Sequence, residues 1–151
     1  MRLLGNILWH IPFLGFLDAI LSYLLGLLLT ITVIAAPIGL GLMEYGKFLF
    51  APFSYSMISK SDLDMKQNIL WQSYSFIIMI IYFPLGLVLA IIGFFQAIAL
   101  AFTIVGIPVA IVVIKSLGTY LNPVGKVCVP VTVVEELDRK KAQDEIDRYT
   151  K

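Results

Sequence analysis

Charge is scarce in this 151-residue chain, and scarcest where the chain is longest without a break. Charged residues make up 14% of it, against about 25% in an ordinary soluble domain. From Leu3 to Ile58 only Asp18, Glu44 and Lys47 are formally charged, and from Asn68 to Asn122 only Lys115. Cysteine is nearly absent as well. Cys128 stands alone, which excludes an internal disulfide and any multi-cysteine metal site. His10 is the single histidine, so no second imidazole exists to complete a zinc-type ligand set. A net charge of +1, with no basic patch interleaved with aromatics, argues against nucleic acid as a partner. The apolar body holds no nucleophile–base pair, phosphate-cradling loop or paired carboxylates, so neither enzymatic activity nor a cofactor is expected. The N-terminus has Arg2 and an apolar stretch, but no small-residue cleavage site closes that stretch. It is read as part of the mature protein.

What fills the chain is apolar side chain, 60% of all residues, which is the composition of a membrane protein. Its punctuation recurs in a fixed register. Thr32, Pro37 and Pro52 return 71 residues later as Thr103, Pro108 and Pro123, and Leu14, Gly15, Ala19 and Ile20 as Leu85, Gly86, Ala90 and Ile91. Proline and glycine dictate backbone shape, so the register predicts a duplicated structural unit. Each copy opens with an apolar lead carrying an aromatic and a turn signal, Trp9 to Gly15 with Pro12 and Tyr82 to Gly86 with Pro84. An uninterrupted run follows, Phe16–Ala36 and Leu87–Ile107. Each run has 21 residues, about 31 Å of helix, enough for the roughly 30 Å hydrocarbon core. Pro37 and Pro108 are expected to interrupt these helices, with Thr32 and Thr103 placed to satisfy loosened backbone groups.

The third part, Ile38–Phe50 and Val109–Leu121, is too short to cross alone. Its polar residues (Glu44 and Lys47; Lys115, Ser116 and Thr119) suit a helix at the interface or against a partner helix. A turn and a short alternating stretch close each copy: Pro52-Phe53 into Ser54-Tyr55-Ser56, and Pro123-Val124-Gly125 into Lys126–Val134. In the latter Val127, Val129, Val131 and Val133 share one face of a possible strand. The expected class is all-α integral membrane: two tandem units of helix, proline break and short helix, each followed by a short β-like stretch. The divisions are a first membrane repeat at 1–58, a polar linker at 59–68, a second repeat at 69–129 and a charged cytoplasmic tail at 130–151, helical from Glu135 onward.

Three runs carry a family signature: Asn6-Ile7-Leu8-Trp9 followed by Gly15, Thr103-Ile104-Val105-Gly106-Ile107-Pro108, and Asn122-Pro123-Val124-Gly125-Lys126-Val127. With these the chain resembles the YccF family of bacterial inner-membrane proteins, built from two copies of an inner membrane component domain. The first copy departs from the family pattern at Ala35-Ala36-Pro37 and at Ser54. The second departs at Ile80, Ala110 and Val124. The resemblance implies a location and an architecture, not a reaction.

Five side chains stand out against the apolar background as candidates for membrane-depth polar or pore-lining groups: Asp18, Glu44, Lys47, Gln96 and Lys115. Ionisable groups inside a span are costly and presumed functional until explained. Asp18 either sits at interface depth, hydrated or paired with Lys47 or His10, or lines a watery path or binds a cation. Glu44 and Lys115 share the 71-residue register with opposite charges, and pack as one ion pair if the two short helices meet. Gln96 needs a partner from another helix or subunit. Thr32, Pro37, Thr103 and Pro108 are the helix-break residues. His10 and Trp9 fit an interfacial aromatic belt. Gly26, Gly39, Gly41 and Gly46 allow close helix packing.

Two functions follow as expectations. One is a homo-oligomeric pore or transport-type protein; the other is a non-transporting membrane scaffold or accessory subunit. Membrane lipid, a homo-oligomer and an unidentified membrane partner are the expected associations. Both termini are expected on the cytoplasmic side, since like copies make an even number of crossings and Arg139-Lys140-Lys141 lies near the membrane.

Overall fold

The computed structural model describes residues 2–11, 13–63, 65–66 and 68–150. The turn expected at Pro12 lies outside them. Six helices and two strands follow in the order α1 (Arg2–His10), α2 (Gly15–Ile31), α3 (Ala36–Phe50), β1 (Tyr55–Ser59), α4 (Ile69–Ala101), α5 (Ile107–Leu121), β2 (Lys126–Pro130) and α6 (Val131–Tyr149). A short 3₁₀ turn, Lys60–Leu63, leads out of β1.

The helices break in equivalent places, but not at the prolines. α2 ends at Ile31 and α4 at Ala101, and the chain turns through residues 32–35 and 102–106. Pro37 and Pro108 lie in the first turn of the helices that follow, where the missing N–H costs nothing. The expectation that these prolines interrupt helices is therefore corrected: they start helices. The threonines act as expected. Thr32 Oγ1 donates to the Leu29 carbonyl at 2.6 Å and accepts from Ala35 N at 3.4 Å. Thr103 Oγ1 donates to Leu100 O and accepts from Gly106 N, both at 3.0 Å. Each hydroxyl thus serves a carbonyl that the ending helix leaves open and an N–H that the next helix cannot pair.

The second expected span is corrected at its start. Helix runs unbroken from Ile69 through Pro84 for 33 residues, about 50 Å, so Pro84–Gly86 is no turn. Proline inside a long apolar helix is tolerated when neighbours serve the freed carbonyl, and Gly86 has a packing role. A Cβ there would collide with the Tyr120 and Leu121 carbonyl oxygens. The strand reading of Val131 and Val133 is also corrected. β2 stops at Pro130, whose extended backbone precedes the first turn of α6, and both valines are helical. β1 and β2 pair antiparallel in the register Tyr55↔Pro130 to Ser59↔Lys126, with Met57 opposite Cys128.

α2 packs along α3, and α4 along α5, as two helical hairpins. In the first, Gly26 and Gly39 face each other so closely that a Cβ on either would meet the other's backbone oxygen. α3 and α5 then pass each other in opposite senses: Gly41 meets Pro123, Tyr45 meets Ser116, and Lys115 reaches Pro52. α2 and α4 stand apart on either side, leaving a cleft floored by α3 and α5. The core sits beneath it, built on Trp9, Phe48, Leu49, Val109, Val112 and Val113.

The outer surface is the reverse of a soluble protein's. Leu21, Leu24 and Leu28 on α2, and Ile77, Ile81, Phe94 and Phe95 on α4, are at least half exposed. In α4 only 17% of the most apolar stretch is buried, which separates it from the core helix of a soluble domain. Among the described residues α4 is the one helix long and apolar enough to cross a bilayer. α1 and α2, whose axes lie 80° apart, make a second span only if taken together.

Candidate functional site: a polar cleft between the hairpins

The cleft holds a cavity of about 410 Å³ that contains both Asp18, from the first turn of α2, and Gln96, from α4. Its walls include Trp9, Phe13, Leu100 and Val109, and its floor carries Tyr45, Ser116 and Tyr120. A second cavity of about 360 Å³ shares Ser22, Tyr45, Gln96 and Tyr120 with the first and adds Tyr82 and Thr119. Two polar groups that sequence placed 78 positions apart thus face one space.

The floor is a hydroxyl cluster with a defined direction. Ser116, fully buried, donates to the Val112 carbonyl one turn back at 2.8 Å. Its oxygen is then free only to accept, so the Tyr45 hydroxyl at 3.0 Å donates to it. Tyr45 has no second proton, so the Tyr120 hydroxyl, also 3.0 Å away, donates to Tyr45. Thr119, 3% exposed, has no hydrogen-bond partner for its hydroxyl among the described residues. Asp18 has no ion-pair partner there either.

Glu44, Lys47 and Lys115 lie elsewhere, and the ion pair weighed for Glu44 and Lys115 does not form. Glu44 pairs with Lys47 on the same helix and accepts from the Cys128 N–H at 3.0 Å. Lys115 donates to the Pro52 carbonyl at 3.0 Å, with its ammonium 5.8 Å from the Phe53 ring centre. Each residue therefore reaches across to the segment that follows the other short helix. The opposite charges match opposite backbone polarity, a carboxylate meeting N–H and an ammonium meeting C=O. Lys47, taken by Glu44, leaves Asp18 alone. His10 bonds the Phe50 carbonyl at 2.8 Å.

Sequence reasoning missed the tyrosines of the floor, Tyr45 and Tyr120. Of the two settings expected for Ser116 and Thr119, the interface or a partner helix, the second holds: both are buried, and Ser116 meets Tyr45 of the other short helix. Tyr45 gave no signal because its register partner is a serine. A small hydroxyl facing a long one can meet across a helix–helix contact where two like residues could not.

A helix-rich chain with an apolar outer surface and one long, largely unburied apolar helix has the make-up of a helical membrane protein. Residues 4–55 match the model of YccF, the inner membrane component domain. That stretch, from α1 to the start of β1, is the first of the two expected copies, and its match supports the resemblance there and an inner-membrane location. No curated protein and no solved structure matches the chain.

Proposed function

We propose that this protein is a homo-oligomeric, multi-pass transport-type protein of the inner membrane, with the cleft between its two hairpins as the pathway. The observation that carries the reading is the convergence of Asp18, Gln96 and a cluster of hydroxyls on one cavity in an otherwise apolar body. Polar groups at membrane depth belong where water or solute passes.

We take the two halves to be inverted copies, an arrangement common among transporters, whose sites lie at the repeat interface. Two contacts support this. Tyr45 bonds Ser116, and Met57 pairs with Cys128, and in both pairs the partners are 71 positions apart. Residues on an internal twofold axis are the ones that touch their own counterparts. The oppositely directed α3 and α5 agree with inversion. Both termini are taken as cytoplasmic. Self-association would cover the apolar flank of α4 and close the cleft toward lipid.

Purified protein in liposomes, assayed for flux of small ions and of neutral solutes, tests the proposal. Selective flux through protein whose mass in native-lipid discs exceeds one chain is the expected result. Strictly monomeric particles that pass nothing would leave the scaffold reading in its place.

A further inference from the structure

We infer that the cleft binds a small monovalent cation, an alkali ion or ammonium, between Asp18 and the hydroxyl oxygens that line the same cavity. This rests on the transport reading and names the class of solute. Three observations carry it.

First, the formal charge is one-sided: among the described residues Asp18 is the only charged one lining either cavity, and the other polar lining groups are hydroxyls, the Gln96 amide and the Trp9 indole N–H, already bonded to Leu49 O. Second, the hydroxyl cluster is short of protons rather than acceptors. Once Tyr120 donates to Tyr45, Tyr45 to Ser116 and Ser116 to Val112 O, every proton in the chain is committed. What remains free on these three groups is oxygen lone pairs, which attract a cation or a donor and repel an anion. Third, the Thr119 hydroxyl lines the adjoining cavity, 97% buried and unpartnered among the described residues. A buried hydroxyl left without a partner costs free energy that an occupant would recover.

Charge count sets the valence. One carboxylate balances a single positive charge. A divalent ion would keep an uncompensated charge, and its sites ordinarily bring several carboxylates. Among the described residues no three His, Cys, Asp or Glu side chains gather to supply them. Space is sufficient. At about 30 Å³ of liquid volume per water, about 410 Å³ holds an ion with much of its hydration shell.

Trp9 lines the same cavity and provides a binding readout separate from flux. Thallous ion, a heavy-atom mimic of potassium, should quench Trp9 fluorescence saturably in a Trp71→Phe background in detergent. Asp18→Asn should weaken that binding on the order of tenfold or more, while Asp18→Glu, which keeps the charge, should retain it. In liposomes, potassium or sodium flux should fall with Asp18→Asn and persist with Asp18→Glu. Chloride or glycerol flux that survives Asp18→Asn, without saturable quenching, overturns the cation site and leaves transport standing. Saturable, Asp18-dependent quenching with no flux of any solute upholds the site and overturns transport. No quenching and no flux overturns both.

Discussion

The two halves of this protein reach the same helical hairpin from different directions. In the first half the lead helix α1 turns away from α2 by 80°, through Leu14 in the left-handed region at φ 53°. In the second half the corresponding stretch is simply the front of α4, which continues through Pro84. Both leads nevertheless deliver an aromatic donor to an equivalent carbonyl. Trp9 Nε1 bonds Leu49 O at 2.9 Å and the Tyr82 hydroxyl bonds Tyr120 O at 3.2 Å, the two acceptors lying one register apart. What is kept is the capping of the short helix's last turn; the path of the lead is free to vary. A proline does not decide that path alone, since the unbroken lead contains one too.

The comparison is most exposed at Gly41. A Cβ there would overlap the Pro123 carbonyl oxygen, where backbone cannot retreat, whereas the counterpart Val112 sits fully buried among side chains. Gly41→Ala should therefore destabilise by about 3 kcal/mol, the upper range for overpacking, read as a drop in the detergent melting temperature. An unchanged melting temperature would mean the halves do not meet there.

Next comes the crossed pair. Glu44→Lys sets an ammonium against the Cys128 N–H and should cost about 2 kcal/mol, the scale of a hydrogen bond to a charged group. Lys47→Glu, at an exposed side chain, should cost far less, about 1 kcal/mol at most. Equal melting shifts for the two variants would break the argument that backbone polarity sets the charge at this position.

The aromatic donors should rank in the same way. Trp9→Phe removes a buried bond and should cost about 1–3 kcal/mol, while Tyr82→Phe removes a longer, half-buried one at about 0.5–1.5 kcal/mol. The reverse order would mean that the second lead, not the first, depends on its cap.

The smallest effect concerns Met57 and Cys128, the register partners in the sheet. Burial first, and then the Glu44 carboxylate, push the Cys128 thiol up to about 11 from an ordinary 9.0. Because the raised value favours the protonated form, its contribution to stability is complete below pH 9 and is lost as pH rises toward 11. Thiol alkylation in the folded protein should be slow at pH 8 and accelerate through that window. Glu44→Gln should shift the profile slightly downward, and no shift would assign the whole effect to burial. For the same reason Cys128 is a poor topology reporter. A cysteine at Gln143 in a Cys128→Ser background is a better one, and labelling from outside intact cells would overturn the cytoplasmic tail.

Much of this was legible in sequence, and the rest fails for identifiable reasons. Thr32 and Thr103 announced the breaks because a hydroxyl five residues before a proline has a local task. The charged tail announced α6 by composition. The start of α4 was hidden, since Pro84 followed by Gly86 carries a turn's local chemistry and only the packing of Gly86 on α5 shows otherwise. β1 pairs with β2 across a large sequence gap, and neither five-residue strand signals its partner. Asp18 and Gln96 were visible one at a time. Their meeting depends on two hairpins packing in opposite senses, which no local pattern encodes. Val33 was equally silent: a β-branched residue at φ 63°, its turn held by the Tyr74 hydroxyl on the Ile34 carbonyl at 2.6 Å.

Ser22 lines both cavities and is half-buried, so it reports directly on whether the cleft is a path. The decisive measurement is treatment of Ser22→Cys, in a Cys128→Ser background, with a membrane-impermeant thiol reagent in proteoliposomes while flux is followed. The expected result is that the cysteine is modified and flux stops, with solute protecting against modification. A cysteine that never reacts, or one fully modified while flux continues unchanged, would contradict the account.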